Sequence, residues 1–406
     1  MKKLIFVLAA LFCVILTAIA DDAADYTLQI FGNANMDEII DEADITYIEG
    51  IISGSNEETE LSDANCDDLI DENDISHIEK MIDGSEVQIT FLDSDGKKVT
   101  VTKPIDRILS LGTTHLEVLR SLGAEDKIIG ISTYITDKPD FFPKYADTPT
   151  VGSGYTPDYE AIISMNPDLV LQFSGWTLEM EEKLATTDIA VARLGLKLQN
   201  YISEVALLGY LLGVNDRAGE VIDFHQKYMK TISDGIDGLS EEEMPRVYLE
   251  WDPEYQTDNS GSLDQLCNMA GGVNIAKDLP GKNPIIEAEW LMTETPDIIF
   301  KFPFRKNADH GYLVDNVSGL SALRDAVMSR AGLSEITAVK DERVYIVGQE
   351  IVSGPRSLVA IAYMAKWFHP DLFEDLDPQA IHQEYLTNFQ GLEYNLSEHG
   401  VFVYPI

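Results

Sequence analysis

The stretch Asn215–Gly238 (NDRAGEVIDFHQKYMKTISDGIDG) decides how the rest of the chain is arranged. Residues suited to burial recur in it at steps of three and four, which places them on one face of a helix. They are Ala218, Val221, Ile222, His225, Met229, Ile232 and Ile236. Such a helix spans roughly 36 Å at 1.5 Å per residue, about the width of a small domain. We therefore predict one long helix over residues 214–239.

Similar sequence stands on both sides of this helix. Upstream, Glu160 precedes Pro167-Asp168 and the apolar run LVLQF. Downstream, Glu289 precedes Pro296-Asp297 and the apolar run IIFKF, with the same spacing. The repetition predicts that the helix separates two copies of one design.

Length and charge limit the function classes. A chain of 406 residues is too long for one modest core, so two or three domains are expected. The formal charge of −41 excludes a general affinity for nucleic acid or anionic membrane surfaces, because both need clustered Lys and Arg. The acidity suits a solvated, soluble exterior.

The first 20 residues have the pattern of an export signal. Lys2 and Lys3 precede an apolar run, and Ala18-Ile19-Ala20 forms a cleavage site before Asp21. We therefore expect a secreted or cell-surface protein, with residues 1–20 either cleaved or kept as an uncleaved anchor. Phe12 before Cys13 disfavours a lipid on that cysteine, and the remaining two cysteines do not form a disulfide framework.

Residues 30–84 contain an internal repeat with an offset of 30 residues. In each copy, side-chain oxygens stand at alternating positions of a short loop, and a carboxylate opens the helix that follows. This is how a chain surrounds a hard cation such as calcium. The candidate ligands in the first loop are Asn33, Asn35, Asp37, Asp41 and Asp44, with the Ile39 carbonyl. Those in the second loop are Asp63, Asn65, Asp67, Asp71 and Asp74, with the Leu69 carbonyl.

The repeat resembles the paired calcium loops of dockerin domains. The resemblance implies a small α-helical module that binds calcium and a cohesin-like surface protein. The glycines of that family are replaced here by Met36 and Glu38 in the first loop, and by Cys66 and Asp68 in the second. A residue other than glycine is strained at positive φ, so whether these loops bind calcium stays open. The alternative is an acidic pair of capped helices that binds no metal.

The remaining sequence predicts an α/β fold. Val87–Thr102 alternates apolar and polar residues around Asp95-Gly96, as a β-hairpin does. Short apolar runs then alternate with helical segments, which predicts parallel sheets covered on both faces. We assign residues 87–213 to a first lobe, which includes PTVG (149–152) as a strand, and residues 245–406 to a second lobe whose tail from Asp377 forms one helix.

These lobes resemble the ABC-type solute-binding proteins for ferric siderophores, haem and cobalamin. The resemblance rests on RILSLGTTHLEVLRSLGAEDKIIGIS, PTVGSGYTPDYEAIISMNPDLVL, RVYLEW, LCNMAGGVNIAKDL, AEWLMTETPDIIF, AVKDERVYIV and YMAKWFHP, in the family order, from about Val87 to about Pro370. It implies two Rossmann-like lobes joined by a long helix, and a cleft that carries a small-molecule metal chelate to a membrane permease. It implies no catalysis and no cofactor in the lobes other than the transported ligand.

In that family, one glutamate on each lobe pairs with arginines of the permease. Glu160 and Glu289 match these positions. The alternative is that each glutamate only stabilises a helix N-terminus through its charge.

The resemblance also implies a set of cleft residues, namely Tyr134, Tyr155, Phe173 and Trp251. Trp176, Tyr255 and Arg305 follow strand ends, where crevice residues gather in open α/β sheets. Arg356 opens a helix and suits bidentate contact with a ligand carboxylate. His115 begins the first helix of the first lobe and is a candidate iron ligand.

Three other functions stay open at this point. A receptor for bare zinc or manganese needs several converging histidines, for which His115 and His310 are the candidates. A redox or chelatase enzyme on a nitrogenase-like scaffold needs cluster-binding cysteines, and Cys267 alone does not supply them. A surface adhesion or scaffold component would act through the acidic repeat.

Overall fold

A computed structural model describes residues 26–85 and 87–406. The predicted export signal, including Cys13, lies outside the described residues. We number helices and strands in chain order.

The acidic repeat folds into two short helices, α1 (Glu42–Ser53) and α2 (Glu72–Ile82). Each begins with a capping box, formed by Asp41 with Asp44 and by Asp71 with Asp74. Asp44 and Asp74 are buried, and burial raises the pKa of Asp44 to about 6. These carboxylates therefore act as caps of their helices.

The module formed by residues 26–85 packs directly on the first lobe. The predicted hairpin forms as β1 (Gln88–Leu92) and β2 (Lys98–Thr102), paired antiparallel. The Phe31 amide donates to the Thr90 carbonyl, and the Leu92 amide donates to the Gln29 carbonyl, each at 2.9 Å. The segment before the first acidic loop thus adds to the edge of the hairpin, so the module and the lobe share backbone hydrogen bonds.

The first lobe is a four-stranded parallel sheet in the order β4-β3-β5-β6. Its strands are β3 (Ile108–Ser110), β4 (Ile128–Ile131), β5 (Leu169–Gln172) and β6 (Ala190–Arg193). Its helices are α3 (Thr113–Ser121), α4 (Thr133–Thr136), α5 (Tyr159–Met165), α6 (Met180–Leu184) and α7 (Tyr201–Leu212).

The strand predicted at PTVG does not form. Thr150 makes an isolated bridge to Ile131, and the chain then turns at Gly152, whose φ is +81°. This left-handed conformation ends the extended run after one bridge.

The long helix is α8 (Asn215–Ile236), 22 residues in one piece. Near its start it crosses α7, where a side-chain carbon at Gly209 would collide with Ala218. Near its end, Gly235 and Ile236 lie against Phe373 and Gly271 of the second lobe. The helix therefore reaches from one lobe to the other.

The second lobe is a five-stranded sheet in the order β11-β10-β9-β7-β8, parallel except for β11. Its strands are β7 (Arg246–Glu250), β8 (Val273–Asn274), β9 (Ile298–Lys301), β10 (Val344–Val347) and β11 (Val403–Tyr404). Its helices are α9 (Ser262–Met269), α10 (Ala288–Glu294), α11 (Ser318–Met328), α12 (Thr337–Lys340), α13 (Ser357–Phe368) and α14 (Pro378–Glu384). The predicted α/β class, two Rossmann-like lobes joined by one long helix, is confirmed.

The tail differs from its prediction as a single helix. Helix α14 passes at Tyr385–Phe389 into one π-helical turn, after which the chain returns to pair β11 with β10. The wider turn contributes to the seam between the lobes, because the Tyr385 hydroxyl there reaches Glu117 of α3 at 2.8 Å.

The two repeated segments have matching geometry. Helices α5 and α10 each end in a left-handed residue, Asn166 at φ 45° and Thr295 at φ 42°. The aspartate of each Pro-Asp pair then fixes the neighbouring strand, since Asp168 accepts from the Arg107 amide and Asp297 from the Arg246 amide, both at 2.8 Å. The similar spacing in sequence thus encodes the same helix-to-strand connection in both lobes.

One residue on the buried face of α8 makes folding sensitive to acid. Both ring nitrogens of His225 are buried and have no hydrogen-bond partner among the described residues, and the ring lies 4.7 Å from that of Tyr201. Burial lowers the pKa of His225 to about 4, below that of a histidine in an unfolded chain. The unfolded chain therefore takes up the proton first as the pH falls, and folding stability is lost from about pH 6.5 downward.

We predict that His225→Leu flattens this pH dependence. Between pH 7 and pH 5, His225 should account for about 2 kcal/mol of lost stability, which the variant retains. Urea unfolding at both pH values measures the difference. The control is Ile232→Val on the same buried face of α8, which removes no titratable group and should leave the slope unchanged. An identical slope in wild type and His225→Leu would refute this assignment.

Candidate ligand-binding cleft

A cavity of about 610 Å³ opens between the two lobes. It lies where the first-lobe strands β3 and β5 and the second-lobe strands β9 and β10 end, the usual position of crevices in open α/β sheets. Residues of both lobes line it, from Leu111–Thr114 and Tyr134–Phe141 on one side to Arg305 and Gln349–Arg356 on the other. The size suits a large part of a bulky small molecule.

Aromatic rings form the first-lobe wall of the cavity. Tyr155 and Trp176 stack with centroids 3.8 Å apart, and the rings of Tyr134 and Phe173 flank them at 6.1 Å and 5.0 Å. The loop after β5 that carries Trp176 is fixed by the amide of Gln172, which donates to the Gly154 carbonyl at 2.9 Å and to the Thr177 hydroxyl at 2.8 Å. Tyr155 is 55% exposed, so the wall offers a flat apolar face to a ligand.

The charged groups of the cavity are mixed. Arg305 of the second lobe reaches Asp140 of the first at 3.5 Å across the cleft. Lys138 also lines the cleft, and desolvation together with the charge of Arg356 lowers its pKa. With Asp137 and Glu350, the lining has three basic and three acidic side chains.

Arg356 lines the cavity, but two of its guanidinium nitrogens contact the opposite lobe. Its Nε and Nη2 donate to the two carboxylate oxygens of Glu117 at 2.9 Å and 3.1 Å, in the buried seam between the lobes. Burial alone would lower the pKa of Arg356, but the Glu117 carboxylate raises it. The bidentate contact expected from the sequence therefore forms, with a carboxylate of the opposite lobe.

Further polar groups complete this seam. The Tyr385 hydroxyl donates to Glu117 at 2.8 Å, and the Gln390 amide donates to the Ser121 hydroxyl at 2.6 Å. Arg120 donates to the Gln390 side-chain oxygen at 2.6 Å. Rings of the two lobes also stack across the seam, with Phe141 and Tyr312 centred 5.2 Å apart. The lobes are thus joined by paired charges and aromatic packing as well as by α8.

Six of the sequence-predicted ligand residues line the cavity, namely Tyr134, Tyr155, Phe173, Trp176, Arg305 and Arg356. Three do not. His115 is fully buried behind Gly112, donates from Nε2 to the Leu194 carbonyl at 2.8 Å, and has its pKa lowered to about 4 by burial. Trp251 packs on Phe302, and Tyr255 packs under the guanidinium of Arg330 at 4.9 Å.

The two repeated glutamates are exposed. Glu160 is the second residue of α5, and Glu289 is the second residue of α10, so each lobe presents one at the start of a helix. Neither carboxylate makes a salt bridge with the residues that the structure describes. Both carboxylates lie in the first turn of their helices, where the helix dipole favours a negative charge, and both are exposed.

Comparison with known proteins identifies the family of this chain. A model of the family described as periplasmic binding protein covers residues 108–351, more than half of the chain. The chain belongs to the periplasmic binding protein family. Its matching relatives are solute receptors and not enzymes.

Individual relatives of this periplasmic binding protein are distant. It is 27% identical to an uncharacterized ABC transporter substrate-binding lipoprotein, YvrC, of Bacillus subtilis, over 71% of this chain and 87% of that protein. It is 23% identical to a cobalamin-binding protein of Halobacterium salinarum, over 69% and 74%. The solved structure of the TroA-like periplasmic binding protein FepB from Veillonella parvula superposes with a TM-score of 0.64 at 22% identity, covering 77% and 98%.

Sequence reasoning missed part of the cleft of this periplasmic binding protein. Asp137, Lys138 and Asp140 follow the short helix α4, and Gln349 and Glu350 follow β10. The rule that crevice residues follow strand ends would have found the last two. The first three follow a helix of four residues that has too few turns to show a periodic pattern.

Metal ligands do not converge in the described part of the chain. Among residues 26–85 and 87–406, no three histidine, cysteine or acidic side chains stand close enough to hold a metal ion. His115 and His310 lie in different lobes, and each bonds a backbone carbonyl, of Leu194 and Ala308. This geometry does not favour a receptor for bare zinc or manganese.

The acidic loops place three of the residues that replace glycine at positive φ. Met36, Cys66 and Asp68, three of the four residues that replace glycine, have φ of 61°, 58° and 68°. Side chains at alternate positions brace the loops, since Asp37 accepts from the Ile39 amide at 2.9 Å and Asp67 from the Leu69 amide at 3.0 Å. The strain anticipated at these positions is therefore accommodated by the fold.

We predict that the Glu117–Arg356 pair is strongly coupled. Glu117→Gln or Arg356→Met alone leaves a buried partner unpaired and should cost about 3–5 kcal/mol of folding stability, whereas the double variant should cost clearly less than the sum. A double-mutant cycle by urea unfolding tests this. The exposed pair Lys230–Asp234 on α8 is the control, with an expected coupling below about 1 kcal/mol. Additive costs at Glu117 and Arg356 would contradict the assignment.

Proposed function

We propose that this chain is the substrate-binding component of an ABC importer. Its cargo is a bulky metal chelate, either an iron complex such as a ferric siderophore or haem, or cobalamin. The observation that carries this proposal is the aromatic wall of Tyr134, Tyr155, Phe173 and Trp176 in a cleft between two joined lobes. A flat, rigid macrocycle or catecholate presents large apolar faces, and stacked rings bind such faces well.

The relatives also support this class of cargo. A cobalamin-binding protein of Halobacterium salinarum is among the proteins similar to this chain, which supports cobalamin as one candidate cargo. The cavity of about 610 Å³ holds part of such a chelate, with the remainder in the open mouth of the cleft.

Glu160 and Glu289 are the proposed contacts to a permease of the iron or cobalamin type. Each is exposed at the start of a helix on its own lobe. Carboxylates so placed can pair with two arginine sites on a partner, which fixes orientation and speeds encounter.

The proposed localisation is outside the cytoplasmic membrane, on the cell surface or secreted. The export-signal pattern of residues 1–20 and the substrate-binding lipoprotein among the relatives support it. Within the described residues, the structure has no helix whose length and hydropathy would let it cross a bilayer.

A second candidate function rests on the acidic module, for which we propose calcium binding and docking to a cohesin-like surface protein. The donors fit a hard cation, and within residues 26–85 and 87–406 the buried Asn33 Oδ1 has no hydrogen-bond partner. The carboxylates do not converge as they stand, so any ion would be held by rearranged side chains of the loops.

Titration with cyanocobalamin, haem and a ferric siderophore tests the receptor function. Trp176 lies in the aromatic wall, so a bound chelate should quench its fluorescence, and Trp176→Phe should remove most of that signal. Glu160→Lys with Glu289→Lys should leave the dissociation constant within about threefold of wild type and abolish uptake by cells. The control is Glu182→Lys with Glu374→Lys, which makes the same charge change at other exposed sites.

Two results would count against this function. Absence of quenching by all three chelates would remove the receptor role. Loss of affinity in the Glu160→Lys, Glu289→Lys variant would place these residues in the ligand site instead of the permease contact.

Calcium binding predicts a higher melting temperature of the full chain in calcium than in chelator. Saturation at about 100 times the dissociation constant adds about 2.7 kcal/mol to folding stability. Asp37→Ala with Asp67→Ala should abolish the gain, and an unchanged melting temperature in wild type would overturn the proposal. Capture of a cohesin-like protein should require calcium if the docking role is right.

A further inference from the structure

The segment that begins at each exposed glutamate has the same pattern of burial in both lobes. The two copies are residues 160–168 (EAIISMNPD) and 289–297 (EWLMTETPD). In both, the first, fourth, fifth and seventh positions are exposed, the third and eighth are buried, and the others are half-buried. The buried third positions, Ile162 and Leu291, fix each helix to the sheet beneath it. The fold therefore turns the same face of both helices to the solvent.

The fourth position of each copy places a large apolar side chain on this outward face. Ile163 is 42% exposed, and Met292 is 40% exposed. Each stands three residues after its glutamate, so the carboxylate and the apolar side chain are neighbours on one helix surface. Single exposed apolar residues are common on soluble proteins. Here the two copies are identical only at Glu, Pro and Asp, yet both hold a large apolar residue at this exposed position. The shared backbone explains the exposure and not the residue type.

Both helices are held at their far ends in the same way. Arg107 Nη2 donates to the carbonyl of Met165, the last residue of α5, at 2.5 Å. Arg246 Nη2 donates to the carbonyl of Glu294, the last residue of α10, at 3.0 Å. An arginine at this end satisfies carbonyls that have no partner inside the helix. Each outward face is thus a firm platform, and docking on it orders little additional backbone.

The charge of the two faces limits the partner that fits them. Neither copy contains Lys or Arg, and each carries its exposed glutamate beside the apolar side chain. The exposed fifth positions, Ser164 and Thr293, add a hydroxyl-bearing side chain to each face. A complementary surface offers a cationic group next to an apolar pocket. Because the pattern occurs once on each lobe, the partner must offer this combination twice.

We propose that Ile163 and Met292 are apolar anchors of the permease contact, each entering an apolar pocket beside the cationic group that receives the neighbouring glutamate. This inference rests on the proposed function and deepens it by dividing the work at that surface. Exposed charges act mainly on the rate of association and its salt dependence, whereas apolar side chains that become buried act mainly on the rate of dissociation. The glutamates therefore bring the partners together, and the anchors set how long they stay together.

The test measures binding of the purified protein to the iron- or cobalamin-type ABC permease of its host, held in lipid nanodiscs, by biolayer interferometry. Ile163→Ser with Met292→Ser should raise the dissociation rate constant at least about tenfold. The association rate constant should stay within about twofold of wild type and keep its salt dependence, because no charge changes. The melting temperature should stay close to that of wild type, since both sites are at the surface.

Two further variants are the controls. Glu160→Gln with Glu289→Gln should lower the association rate constant and flatten its salt dependence. Ile52→Ser with Leu372→Ser makes the same kind of change at apolar side chains that are 48% and 50% exposed elsewhere on the protein. That variant should leave both rate constants within about twofold of wild type.

The outcomes separate this inference from the proposed function. If wild type binds the permease but Ile163→Ser with Met292→Ser dissociates no faster, or no faster than the Ile52→Ser, Leu372→Ser control, the anchors are overturned and the receptor role stands. If only one of the single substitutions Ile163→Ser and Met292→Ser raises the dissociation rate constant, the matched contact on both lobes is overturned. If wild type does not bind the permease, the proposed function falls, and this inference falls with it.

Discussion

The buried ion pair between Glu117 and Arg356 is the contact on which the cleft depends. Burying two charges is costly unless each is fully paired, and here the two-point contact and the Tyr385 hydroxyl supply that pairing. Separating the lobes would leave both charges without their partners. The pair therefore holds the lobes at one distance, and the cleft exists before any ligand arrives.

The walls of the cleft are also held in place by local contacts. The aromatic wall stands on a loop that the Gln172 amide fixes, and the second-lobe wall stands on a turn made possible by Gly311 and Gly348. Side chains held in this way lose little entropy on binding, so more of the contact energy appears as affinity. The lobes are joined by α8, by the ion pair and by the stacking of Phe141 on Tyr312, so a large relative movement of the lobes would break buried contacts.

The sequence predicts what depends on local pattern. The period of the long helix, the hairpin at Asp95-Gly96, and the repeated Glu and Pro-Asp spacing each use residues near one another in the chain, and the structure has all of them. Contacts between distant residues were harder to predict. Arg356 was expected to make a bidentate contact with a ligand carboxylate. The bidentate contact forms, but its partner is Glu117, 239 positions away in the chain, and no sequence pattern links the two residues. His115 looked available because it begins a helix, yet Gly112 and Phe173 enclose it. The split of the tail into α14 and a π-helical turn likewise follows from the seam and not from local propensity.

Native mass spectrometry of the protein purified from its own host tests most directly whether this locked cleft receives a chelate. The account predicts one bound molecule per chain, with the mass of an iron chelate or of a corrinoid. A bare metal ion or a sugar bound in its place would contradict it.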